Sequence, residues 1–224
     1  MSPMMLYPAM QSRRVMEIPA IFAQADRSGE LRSIKVEGGR SIPSGEDALT
    51  GFDEAASSLP QTESRDPVVV IDWGSICSRS FHEKVLKNMR VRERDIWFMS
   101  WISDADDLMD AFNTIADTVI SPLNAISDIE DLEDINTMSD SFIPAILCRN
   151  GGGMGIGSLP RGIRETLESL ESLGFYRTCV VDTNGSVTSY EWERIGNIFP
   201  SAIPFVSRAS DAPGFGTTIV PHRY

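Results

Sequence analysis

Histidine is nearly missing from this chain, and cysteine and basic residues are scarce. The two histidines, His82 and His222, lie far apart in sequence, and the three cysteines, Cys77, Cys148 and Cys179, share no metal-type spacing. A zinc site is therefore not expected, and the odd cysteine number fits a reducing cytoplasm better than a disulfide framework. Lys and Arg number 20 against 32 Asp and Glu, for a formal net charge of -12, with no basic cluster. That removes the electrostatic footprint of a nucleic-acid binder. No apolar run is long enough to cross a bilayer, and the N-terminal MSPMMLYPAMQSRR, broken by two prolines, is too polar for a signal core. No nucleic acid, membrane or cofactor partner is expected, and the predicted location is cytoplasmic.

With 224 residues, 42% of them hydrophobic, the chain can bury a sizeable core. Residues 1–14 read as a leader and residues 15–224 as a single domain. The stretch from Ser41 to Asp66, rich in Ser, Gly, Asp and Glu, is the most loop-like part. Short apolar runs recur at MEIPAIF, PVVVIDW, DIWFMSW, DTVISPL, SFIPAIL, RTCVVDT, IPFVSRA and GTTIVPH, eight candidate buried strands. Amphipathic patterns lie between most of them: EDALTGFDEAASSL, SFHEKVLKNMR, DADDLMDAFNTIA, DIEDLEDINTM, RGIRETLESLESLG and SYEWERIGNIF. Caps at Ser103 and Asp104 and a stop at Gly174 punctuate them. Alternation of this kind predicts a parallel sheet, and eight strands favour closure into a (β/α)8 TIM barrel over an open sheet. Few residues separate the last two runs, so the barrel is expected to be trimmed, with the helices after strands seven and eight short or absent. An uncovered barrel end there would need the leader or a second subunit, which makes a homo-oligomer an expectation.

Several stretches then resemble the histidine-biosynthesis barrel family, the phosphoribosylformimino isomerase and the imidazole-glycerol-phosphate synthase cyclase. Ile18, Pro19, Ala20 and Ile21 match its first strand, with Ser28 and Gly29 as the turn of a short hairpin. VVVIDWGS is similar to its second strand, CRNGGG to the stretch after its fifth, and VVDTNGSVTSYEWERI to its sixth strand and following helix. The departures bear on function. The family's first and fifth strands end in an aspartate pair that does acid and base work. Phe22 and Cys148 stand at those positions here. Its Gly-rich phosphate turns are replaced by Met99 to Ser103, by Ser121 and Pro122, and by Arg208, Ala209 and Ser210. The family's own reaction is therefore not expected.

Asp72 and Asp182, at the ends of the second and sixth strands, are the surviving acid and base candidates, since burial there would raise a carboxyl pKa. The same residues also suit a turn-capping role. Arg149, Asn150, Gly151, Gly152, Asn184 and His222 are the candidate substrate-binding residues at the barrel mouth. The glycines of CRNGGGMGIGS read as a flexible rim over it. Cys148 reads as an inert buried thiol in preference to a nucleophile. Trp73, Trp97 and Trp101 would serve as a stacking platform or as core packing. The leading expectation is a divergent barrel acting by acid-base chemistry on a small anionic or carbohydrate-like metabolite. Two other readings stay open: a non-catalytic barrel serving as a binding or assembly protein, and an actin-like nucleotide-binding protein in which VVVIDWGSICSRS is the phosphate loop.

Overall fold

The structure is a computed structural model that describes residues 16–25, 31–37, 40–41, 52–59, 65–83, 94–114, 116–149, 152–154 and 156–222. The leader, Ser28 and Gly29, Asn150, Gly151 and most of SFHEKVLKNMR lie outside the described residues.

All eight apolar runs form strands. In chain order the strands are β1 (Met16–Ala25), β2 (Leu31–Ser33), β3 (Val36–Glu37), β4 (Arg40–Ser41), β5 (Val68–Asp72), β6 (Ile96–Met99), β7 (Thr118–Pro122), β8 (Phe142–Arg149), β9 (Gly152–Met154), β10 (Thr178–Asp182), β11 (Ala202–Val206) and β12 (Thr217–Pro221). Among the described residues the helices are α1 (Phe52–Ser57), α2 (Trp73–Ser78), α3 (Ala105–Phe112), α4 (Ile129–Met138), α5 (Ile163–Ser172) and α6 (Ser189–Ile198). Eight parallel staves follow one another round a circle, β1, β5, β6, β7, β8, β10, β11 and β12, and the β12 to β1 pairing closes it. Extending the registers from Ala25 leads round the circle and back to β1 at Glu17, a stagger of eight residues. An eight-stranded parallel barrel with that shear is the TIM-barrel geometry.

Two apolar layers account for the near-continuous burial of the staves. Ile18, Ala20, Val69, Ile71, Met99, Ile120, Ile143, Ala145, Cys179, Ile203 and Ile219 fill the barrel interior. Their neighbours of opposite parity, among them Ile21, Val70, Phe98, Val119, Ile146 and Val180, pack outward with helix residues such as Leu108, Leu132, Leu167 and Trp192. A strand buried on both faces has no use for polar alternation, which is why these segments read as unbroken Val and Ile runs.

The helices begin where local chemistry lets them. Asp104 and Asp128 accept from the backbone N–H groups of Asp107 and Asp131 to cap α3 and α4, and Thr188 and Glu191 form a capping box on α6. Gly174, at φ +92°, ends α5, with the Phe175 N–H returning to the Leu170 carbonyl. Between β11 and β12 a single 3-10 turn, Ala209–Asp211, takes the place of a helix. Two antiparallel strands extend the staves: β2 folds back on β1, and β9 folds back on β8. Of the glycine-rich stretch expected to form a rim, Gly152–Met154 is this strand, and Gly151 and Gly155 lie outside the described residues. In VVVIDWGS the VVVID part is a stave of a closed barrel and Trp73, Gly74 and Ser75 begin α2, whereas an actin-like phosphate loop serves a cleft between two domains. Among the described residues no helix is long and apolar enough to cross a membrane.

Candidate functional site

A cavity of about 670 Å³ opens at the C-terminal ends of the staves, within the size range of small-molecule sites. Its floor is the top of the barrel interior, where Phe22, Ile71, Met99, Leu147, Val181 and Phe205 leave their strands. Trp73 and Ile76 of α2 form one wall; Thr183, Asn184, Ser207 and His222 follow the ends of β10, β11 and β12; Lys35 comes from the segment after β2. Phe22 meets Trp73 edge-on at 5.7 Å between centroids and lies 6.3 Å from Phe205, so three aromatic rings form one continuous surface.

Asp72 and Asp182 do not line this cavity. They share the outward parity of Val70 and Val180, and they sit on staves four steps apart in either direction, across the barrel from each other. Asp72 is fully buried, and its Oδ1 accepts from the Ser75 N–H at 3.0 Å, capping α2. Among the described residues its Oδ2 has no hydrogen-bond partner. Burial pushes the carboxyl above its ordinary value, opposed by the Ser75 N–H, the nearby His82 and the Gly74 N–H. Asp182 is more completely used. Oδ1 accepts from the N–H of Ser186 at 2.8 Å and from its hydroxyl at 2.9 Å, and Oδ2 from the Val187 N–H at 2.8 Å.

Each aspartate nevertheless shapes a wall of the cavity. The Asp72 cap starts α2 directly at the strand end and so swings Trp73 and Ile76 over the mouth. Ser75 anchors that helix from the other side: its hydroxyl lies 2.8 Å from the Ser100 hydroxyl and accepts from the Trp101 N–H at 2.9 Å. Asp182 closes the Thr183 to Val187 turn, with Gly185 at φ +66° where a side chain would be strained. That turn holds Thr183 and Asn184 at the rim, and Ser207 ties β11 to it by donating to the Thr183 carbonyl at 2.8 Å.

Of the remaining predicted residues, Asn184 and His222 line the cavity and Arg149 and Gly152 do not; Arg149 is exposed and Gly152 pairs with it in the β8–β9 hairpin. Asn150 and Gly151 lie outside the described residues. The Ser58 hydroxyl donates to the Ala55 carbonyl at 2.7 Å and lies 2.9 Å from His222 Nε2. Burial, with the Arg94 charge, lowers the His222 pKa, which keeps the ring neutral at neutral pH. Cys148 touches the cavity edge, but burial, then the charges of Asp182 and Glu191, push its thiol up to about 12. Trp73 alone of the three expected tryptophans lines the mouth; Arg79 lies over Trp101 and Arg177 over Trp97. Lys35, Ile76, Met99, Leu147, Thr183 and Ser207 were invisible as site residues in the sequence, because only the register of the closed barrel makes them neighbours.

Among the described residues, no group of three or more His, Cys, Asp or Glu side chains could hold a metal ion. No family model matches the chain, and no curated protein matches it in sequence.

Proposed function

We propose that the barrel mouth is the binding site for a small organic molecule and that the protein acts through it. The observation that carries this is the cavity itself: concave, placed at the strand C-terminal ends, with an apolar floor and a polar rim. Binding is favoured over proton transfer between Asp72 and Asp182, because their carboxylates lie across the barrel from each other and serve backbone donors. The strand order is that of a TIM-like barrel in general, and the kinship with the histidine-biosynthesis barrels rests on the sequence resemblance alone. The mouth residues do not support that family's chemistry, since Phe22 and Cys148 offer no carboxylate pair.

A thermal-shift screen of small organic acids and sugars tests the reading. A ligand at about a hundred times its Kd stabilises by roughly 2.7 kcal/mol, which for a chain of this size raises Tm by about 5–10 °C. The shift is expected to vanish in Trp73→Ala. A saturable shift that survives this substitution places the site elsewhere and defeats the proposal.

A further inference from the structure

The mouth cavity has two unlike sides. The staves β10, β11, β12 and β1 are consecutive round the barrel, and their loops bring Thr183, Asn184, Ser207, His222 and Lys35 to the rim. The facing staves β5, β6 and β8, with α2, contribute Trp73, Ile76, Met99 and Leu147. Among the described residues no carboxylate joins the lining, although the chain carries 32 acidic residues.

That division restricts the ligand. A cationic head would find no carboxylate among the described lining residues, and the rim supplies an ammonium, an amide and a hydroxyl from Lys35, Asn184 and Thr183. A molecule charged at both ends would press one charge against Trp73 and Met99, where desolvation has no compensation. We infer that the ligand is a small amphipathic organic anion, with a carboxylate or sulfonate head at the Lys35, Thr183 and Asn184 rim and an aromatic or branched aliphatic body against Trp73, Met99 and Leu147. This inference rests on the mouth being a binding site. The edge-on pair of Trp73 and Phe22 gives a flat body a ring face to stack on.

Two fluorescent probes separate the head from the body: anilinonaphthalene sulfonate, and N-phenylnaphthylamine, which has the same rings without the sulfonate. The wild-type protein is expected to bind both at one saturable site, the sulfonate several-fold more tightly. Lys35 and Asn184 are exposed, so Lys35→Glu and Asn184→Asp preserve the fold, as thermal unfolding will verify. Asn184→Asp, a change of one charge, should weaken the sulfonate probe about tenfold and Lys35→Glu, a change of two, by at least as much, and both should leave the neutral probe within about twofold. Trp73→Ala should weaken both probes about tenfold. If Trp73→Ala weakens both but the two charge variants leave the sulfonate unaffected, the anionic head is overturned while the binding site stands. If neither probe binds the wild-type protein, or Trp73→Ala changes neither, the site fails and the inference with it.

Discussion

The Asp182 carboxylate accepts three hydrogen bonds, from the Ser186 N–H and hydroxyl and the Val187 N–H, whereas among the described residues Asp72 leaves one buried oxygen without a partner. Substitution should separate the two. Asp182→Ala strands two backbone donors and is expected to cost about 3 kcal/mol, read as a fall in denaturant midpoint at unchanged slope. Asp72→Asn keeps the Oδ1 acceptor for the Ser75 N–H and removes the buried charge. Burial raises the folded Asp72 pKa above 3.8, so from that value upward the folded state holds a proton the unfolded chain has released. This group's contribution to stability therefore falls as pH rises through the window and stays low above it. Asp72→Asn should be more stable than wild type near neutral pH by roughly 1 kcal/mol, about 2–4 °C in Tm, and the gap should close as pH falls toward that of an ordinary Asp. A gap that widens on acidification would refute the account. Thiol labelling checks burial independently: Cys77 is exposed and Cys148 and Cys179 are buried, so a thiol reagent should modify Cys77 first and the other two only on unfolding. The sequence marked both aspartates as special but not which way they face. In a stave apolar on both sides, nothing in the pattern distinguishes inward from outward positions.

At the level of elements, every stave was legible because Val, Ile and Phe runs of this length between polar breaks have few other uses. Helices α3 to α6 were legible from caps and periodicity. Helix α2 was missed because it starts at Trp73 with no intervening loop, and its reason for starting is the Asp72 cap, which looks the same as an active-site carboxylate in sequence. The glycines after Cys148 misled in the opposite direction. A Cβ on Gly153 would lie 2.7 Å from Ile146 Cγ2, so this glycine lets β9 fold tightly onto β8 and is not there for mobility. Gly153→Ala is expected to cost about 1–2 kcal/mol by forcing the β-branched Ile146 or the hairpin aside. Chemical denaturation measures it, and a neutral result would mean that the hairpin yields freely. Gly157, with nothing within 4 Å of its Cβ position, is the internal control.

For the molecule as a whole, closure makes the site, since the mouth residues come from segments scattered between Phe22 and His222 and meet only when the ring is complete. The hydrogen-bonded ladders are not equally long all the way round the ring. Most neighbouring staves pair through three to five register positions, but β11 and β12 share one, Phe205 with Ile219. The connection between them is a single 3-10 turn, whereas helices connect β6 to β7 and β10 to β11. Local opening follows the regions with the fewest backbone and apolar constraints. Amides of β11 and β12 facing each other should therefore exchange with solvent faster than those between β5 and β6, at least tenfold in protection. Because Ser207 and His222 leave the barrel at this seam, occupancy of the mouth should slow that exchange more than it slows exchange at β5 and β6. Equal protection of the two seams in the unliganded protein would show that the short register is not the weak point, and the barrel would then have to open elsewhere.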